Sequence, residues 1–387
     1  MRGSTTVCGL LLMRIIGSDE TNLMLGKAYQ VSLVNVDDIT VLGEQWRDLE
    51  SRAEHEFFLS WLWISVWLKV FNPSIKLLTI RLQQQQVALA LVTLSVQRRH
   101  GWLNSKVMRI HQTGNPKEDQ IWIEYNDILV DRAHREGATA ALSCFIMDGS
   151  NDCDEWIVGA TGEKRLKDWV ADDLYKHVLW EAPAYGVDLR ALREAGKEYL
   201  QSLSRNTRYQ LNKATRRALQ LGAVSYSTAE TAQQALQWFR ELGDLHQQRW
   251  GDDSGFVNAR FTDFHTELIL QGLPMGRVEL VRIELGDRLL GILYNFVYAG
   301  KVYFYLSGTN YQVDGSIKPG LLCQVECIKT HLAAGANYYD FMGGDSRYKR
   351  SLGTLGENLQ LISIQRPLAK LRLEQKLRQL KRLLLNG

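Results

Sequence analysis

The densest run of chemistry-bearing residues lies between Tyr338 and Gly353, reading YYDFMGGDSRYKRSLG. It begins as a short aromatic and apolar strand broken only by Asp340. It turns at Gly343-Gly344, where two glycines allow a sharp bend and a close backbone approach. Beyond the turn Asp345, Arg347, Tyr348, Lys349 and Arg350 crowd together. A carboxylate at a strand end, a flexible turn, then an acid and several cations make a reacting site. A buried strand ending in a solvated turn is the plain alternative. A second cluster lies upstream: Arg205, Arg208, Lys213, Arg216 and Arg217 bring five positive charges and no acid to one helical stretch. Cations gathered this way attract phosphates, although a solvated basic face would look the same. Cys323, Cys327 and His331 share one face of an expected helix. Three ligands in a row over two turns span about 12 Å, too far to close on one ion, so no metal is expected.

The elements that carry these residues follow from size and periodicity. A chain of 387 residues favours two domains. Hydrophobic content of 45% and charged content of 23% are those of chains that bury a core. The net charge of +3 gives no global field for nucleic acid or membrane, so any basic partner surface must be local. The five cysteines are odd in number and hold no CxxC, which argues for a reducing compartment. No apolar run reaches the roughly 20 residues of a membrane span, so the expectation is a cytoplasmic protein. Residues 1–28 read as a poorly determined lead, with Met24 an alternative start. The first half, 29–185, reads as strand 29–35, helices 39–52 and 59–70, strands 76–81, 87–96, 107–112 and 122–130, helix 134–147, strand 155–158, helix 164–174 and strand 177–181. A junction falls at 183–186. The second half, 186–367, opens with a helical region at 190–221. Strand 223–227, helices 230–249 and 262–271, a meander at 278–285, 289–298 and 301–307, helix 320–334 and strands 339–342 and 359–364 follow. The order strand–helix–helix–strand–strand–strand–helix–strand thus occurs twice, as expected of two copies of one mixed α/β fold. The tail, 368–387, reads as a basic helix suited to anionic lipid at the inner face of a membrane or to solvent.

A meander, a loop, a helix and a strand in this order resemble the core of GNAT acyltransferases. The details are similar to the FemAB-like branch, and within it to CelD- and BioF2-like acetyltransferases. Leu203-Ser204-Arg205-Asn206-Thr207-Arg208, Tyr303 to Gly308, Lys318-Pro319-Gly320, Tyr339-Asp340-Phe341 and Gly344-Asp345 with Tyr348-Lys349-Arg350 carry the resemblance. In the first half Trp46, Phe57-Phe58, Trp67 and Glu124-Tyr125-Asn126-Asp127 fit its weaker pattern. The resemblance implies tandem GNAT-like domains with mixed central sheets flanked by helices. It implies an acyl-CoA donor, most simply acetyl-CoA, bound by Ser307, Lys318, Gly320 and Leu321: its phosphates meet the helix start at 316–320, and its carbonyl meets a strand N–H near Tyr305–Ser307. It implies an amine or hydroxyl acceptor on a small molecule, a sugar or an envelope or polysaccharide precursor. Asp345 or Asp340 would take the acceptor's proton, and Tyr305 or Tyr348 would protonate the leaving thiolate. Arg208, Lys349, Glu124, Asp127 and Trp250 would hold the acceptor. The Gln/Arg-x-x-Gly-x-Gly/Ala phosphate motif of ordinary GNAT enzymes is absent from 314–322. Fem transferases lack it too and draw on aminoacyl-tRNA, so that donor stays open, as does a catalytically silent scaffold that binds polysaccharide-synthesis partners.

Overall fold

The structure is a computed structural model that describes residues 5–7, 29–100, 103–148, 151–167, 169, 175–313, 315–374 and 376–377. It is a mixed α/β fold, and its contacts divide the chain into two compact units. Unit one holds 1–68, 72–181 and 359–387; unit two holds 69–71 and 182–358. The expected lead lies outside the described residues except for Thr5–Val7, a strand paired antiparallel with residues 30–32.

Unit one is built on β1 (Tyr29–Asn35), β2 (Ile75–Leu82), β3 (Gln85–Arg99), β4 (Leu103–Ile110) and β5 (Glu155–Gly162). The first four pair antiparallel in sequence order, and β4 pairs parallel with β5. Helices α1 (Ile39–Glu50) and α2 (Trp61–Phe71) fill the gap before β2, and α3 (Arg135–Met147) precedes β5. Asp38 caps α1 by accepting the Thr40 and Val41 N–H groups, which satisfies donors the helix start leaves open. The apolar run at 57–68 is core: Phe57, Phe58, Trp63 and Trp67 are all buried. Burying aromatic side chains of this size stabilises by roughly 2–3 kcal/mol each.

Unit two repeats the order. Its strands are β6 (Tyr175–Asp188, of which residues 182–188 belong here), β7 (Val224–Thr228), β8 (Val278–Leu285), β9 (Arg288–Tyr298), β10 (Lys301–Thr309) and β11 (Tyr338–Gly343). Spatial order runs β6-β11-β10-β9-β8-β7, with β10 and β11 parallel and the other pairs antiparallel. α4 (Arg205–Leu219) and α7 (Pro319–Ala333) share a core with Val281, Ile283, Val302 and Phe304. α5 (Ala232–Trp250) and α6 (Ala259–Gly272) contact the sheet, where Phe239 of α5 and His265 of α6 both meet Tyr294 of β9. A short α8 (Arg347–Leu352) follows the Gly343-Gly344 turn.

Several expectations are corrected. Residues 359–364 were expected to close the second sheet. They lie in β12 (Thr354–Gln365) and pair antiparallel with β5 of unit one. The junction at 183–186 sits inside β6. Of the strand expected at 122–130 only Leu129–Val130 forms, because Trp122 and Tyr125 take positive φ values of 46° and 51° that no strand tolerates. The helical region 190–221 breaks into Leu189–Glu194, Tyr199–Ser202 and α4, with Gly196 left-handed at φ 60° in the first gap. At 164–174 a helix spans Glu163–Lys167, and most of the remainder is outside the described residues. The tail helix is described only at 369–374 and 376–377, where it is helical.

Candidate active site

The strand β10 departs from regularity at Tyr305. Tyr294 faces Leu306 and Asn295 faces Phe304, so two residues of β9 oppose three of β10. Such a bulge bends the strand and re-aims its backbone. On the other edge the parallel ladder to β11 covers Lys301, Val302 and Tyr303 and stops. Past that point β10 and β11 part, and a cavity of about 500 Å³ opens along Phe304 to Ser307 and Thr309.

The start of α7 forms the facing wall. Lys318 sits at the N-cap in the left-handed region, φ 51°, with no side-chain cap, and Pro319 occupies the first turn. Proline costs the helix nothing there because that N–H has no helical partner anyway. The first-turn N–H groups and the helix dipole therefore point into the cavity mouth. Lys318 Nζ donates to Gln210 Oε1 of α4 at 2.6 Å, which holds its charge beside that mouth. A Cβ on Gly320 would lie 3.4 Å from Thr309 Oγ1 and 3.6 Å from the Tyr311 hydroxyl, so a side chain there projects into the same space.

Further lining residues come from α5 and α8. His246 Nδ1 bonds Ser254 Oγ at 2.8 Å. Burial, and then the neighbouring Arg249, hold its imidazole below the usual range, so it is neutral at pH 7. Arg249 lies over the Tyr311 ring at 4.6 Å and the Trp250 ring at 5.1 Å. Trp250 is half-exposed at the rim. Burial pushes the Tyr348 phenol far up, with Ser346 and Arg249 acting the other way, so it keeps its proton. Tyr305 bonds His265 Nε2 at 3.1 Å, and burial pushes that imidazole down to about 3. A second hollow of about 550 Å³ continues past Arg249, Lys318 and Tyr348 towards Asn206, Gln210 and Arg347.

The cavity thus gathers Tyr305, Ser307, Lys318, Gly320, Leu321, Tyr348 and Trp250 from the residues singled out in the sequence. It does not gather the rest. Asp340 is buried, paired with Lys301 at 2.9 Å and accepting the Met342 N–H at 2.7 Å, which locks the strand end. Asp345 pairs with Arg350 and accepts from the Tyr185 hydroxyl at 3.4 Å; neither carboxylate lines the cavity. Lys349 is buried and donates to the Gly343 carbonyl at 2.6 Å, which closes the glycine turn, and it does not line the cavity. Arg208 reaches back to the Gln201 carbonyl at 3.4 Å. Glu124 and Asp127 lie in unit one, where Asp127 is buried among Arg135, Arg165 and the Trp169 indole N–H. Sequence reasoning missed His246, Arg249, Tyr311 and Gln210. Their one signal was the His246-x-x-Arg249-Trp250 spacing at the end of a helix.

The family model of the acetyltransferase (GNAT) domain matches residues 205–350, which takes in every cavity-lining residue. Among curated proteins none matches the sequence. Of solved structures, FemX is similar at a TM-score of 0.56 and 12% identity, covering 83% of this chain and 95% of that one. A conserved protein of unknown function from Bacteroides thetaiotaomicron VPI-5482 follows at 0.51 and 9%, covering 86% and 99%. L-PGS from Bacillus licheniformis gives 0.50 and 9%, covering 87% and 94%. Residues 205–350, which carry the bulged strand and the open helix start, thus match the acetyltransferase (GNAT) domain model, within a chain whose fold is similar to that of FemX.

Proposed function

We propose that unit two transfers an acyl group, most simply acetyl from acetyl-CoA, to an amine or hydroxyl of a sugar-linked or cell-envelope precursor. The observation that carries this reading is the parting of β10 and β11 opposite the uncapped start of α7. The helix start and Lys318 suit the donor's phosphates. The β10 backbone beyond Tyr303 supplies an N–H to the thioester carbonyl, where negative charge develops as the acceptor attacks. His246 is the neutral base on the cavity wall and takes the acceptor's proton. As the carbon–sulfur bond breaks, Tyr348 gives its proton to the departing thiolate and regains one from solvent. The exposed Trp250 face beside Arg249 suits stacking under a sugar ring.

One observation favours a second donor. α4 carries Arg205, Lys213, Arg216 and Arg217 on exposed positions, and its Asn206, Thr207 and Gln210 line the hollow next to the cavity. That basic face suits an aminoacyl-tRNA acceptor arm. Among the described residues no helix is long and apolar enough to cross a membrane.

The test is the pH profile of turnover. With His246 as base, His246→Gln lowers kcat by about 10²–10³-fold with KM for the donor little changed. Because the imidazole pKa is held below about 6.5, wild-type kcat stays level through neutral pH and falls only on the acid side of that value. Removing the second cause with Arg249→Gln moves that acid limb upward. A His246→Gln protein with full turnover would remove the base assigned here.

A further inference from the structure

The face of unit two's sheet that supports the far end of α7 holds a polar cluster that the transfer reaction does not use. Cys327 and His331 lie one turn apart on α7, so both side chains point the same way. Glu279 on β8 meets them, and the three ligand atoms lie within 4.8 Å of one another. His331 Nε2 is 3.0 Å from Glu279 Oε2. Cys327 is fully buried and His331 nearly so. Cys323, the third member of the row seen in the sequence, is buried elsewhere, against Gly291. The expectation of no metal came from spanning the helix alone; the strand supplies the ligand that closes the set.

Two independent observations point into this cluster. Asn295 on β9 is fully buried, and its Nδ2 donates to Glu279 Oε2 at 3.0 Å and to Cys327 Sγ at 3.4 Å, while its Oδ1 is without a partner. Metal ligands are oriented by outer hydrogen bonds of this kind. The Tyr226 hydroxyl is likewise buried, and its near neighbours are Cys327 and Glu279. Its oxygen is a fourth ligand atom beside the cluster.

We propose that Glu279, Cys327 and His331, with the Tyr226 oxygen in the fourth position, bind one Zn2+. The donor set decides the ion. Thiolate and imidazole together select zinc over magnesium or calcium, which take oxygen ligands. Zinc bond lengths of about 2.0–2.3 Å place tetrahedral ligand atoms about 3.3–3.8 Å apart, so atoms now up to 4.8 Å apart close by roughly 1 Å while the His331–Glu279 pair, at 3.0 Å, opens slightly. Such an ion ties the last turn of α7 to β8. The same helix presents Lys318 and Gly320 at its other end, so the zinc is a structural staple for the wall of the cavity. Binding releases the thiol proton to solvent and involves no redox change.

The full-length protein, stripped with EDTA and titrated with Co2+ as a spectroscopic stand-in, tests this. One Co2+ per chain is expected, with a thiolate charge-transfer band and the intense visible bands of four-coordinate cobalt, all abolished by Zn2+. Cys327→Ser should lose the sulfur band, whereas Cys144→Ser should keep it. Asn295→Leu should weaken Zn2+ binding by about 10–100-fold. Zn2+ should raise the melting temperature of the wild type and not of Cys327→Ser. A weak, six-coordinate cobalt spectrum without the sulfur band overturns the proposal, and wild-type protein alone gives that answer if Cys327→Ser does not fold. A sulfur band that survives in Cys327→Ser overturns it as well.

Discussion

The two units share one strand order and differ at one seam. In each, a parallel pair of strands sits at the heart of the sheet: β4 with β5, and β10 with β11. In unit two the ladder ends at Tyr303, and beyond it a cavity opens along β10. In unit one the gap is stitched shut by Asn126. Its Nδ2 donates to the Ile110 carbonyl of β4 at 2.8 Å and to the Gly159 carbonyl of β5 at 3.1 Å. Its N–H donates to the Ala160 carbonyl at 3.1 Å, and the Thr161 hydroxyl donates to its carbonyl. His111 completes the plug. The Leu91 N–H donates to Nε2 at 3.1 Å, so the ring proton sits on Nδ1 and is given to Asn126 Oδ1 at 2.9 Å. The lesson is that one fold serves as scaffold or as site according to what fills a single crack. Polar residues bonded on all sides make a seam; a bulge opposite a bare helix start makes a pocket.

Breaking the plug should have the largest effect. Asn126→Leu leaves the Ile110 and Gly159 carbonyls and the His111 ring proton without partners. At about 1–3 kcal/mol for each of these three buried groups, unfolding free energy should fall by roughly 3–9 kcal/mol in urea titrations. Equal stability of the variant and the wild type would show the seam to be incidental.

Acid should attack the same seam. Burial pushes His111 down to about 4, so between that value and about 6.5 the unfolded chain binds a proton that the folded one refuses. Stability is therefore complete above about 6.5 and is lost as pH falls towards 4, by about 3 kcal/mol for this group. His265 in unit two, at about 3, acts with the same sign. His111→Gln should flatten part of the decline measured by denaturant titration across this range.

The smallest effect sharpens the contrast inside unit two. Tyr348→Phe removes the proton donor on the cavity wall and should cost about 10–100-fold in kcat. Asp345→Asn, three residues earlier but outside the cavity, should stay within about threefold. The reverse ranking in single-turnover assays would return the acid–base role to the carboxylate.

Much of this was legible from spacing. Apolar periodicity carried the element order of both units, and the Lys318-Pro319-Gly320 signature marked a helix start at the place where the cavity opens. Tyr305 and Tyr348 were reachable because they sit beside recognisable turns. Periodicity says nothing of partners, however. The return of β12 to unit one depends on pairing far along the chain, which alternation of side chains cannot reveal. Asp340 and Lys349 look reactive in a row of letters, yet each spends its charge on the nearest strand end or turn. Glu124 to Asp127 read as an acidic strand, while Asn126, the least conspicuous of the four, does the stitching. His246 stood apart from the cluster at 338–353, and only the packing of α5 on the sheet brings it to β10.

The central claim is that the activated donor docks at the start of α7. Calorimetric titration of acetyl-CoA into the wild type and Gly320→Val tests it most directly, since a Cβ at this position meets Thr309 and Tyr311 only at ordinary contact distances and projects into the cavity. The account predicts saturable binding to the wild type and at least about tenfold weaker binding to Gly320→Val at an unchanged melting temperature. Equal affinity in both proteins, or heat from charged tRNA alone, would contradict it.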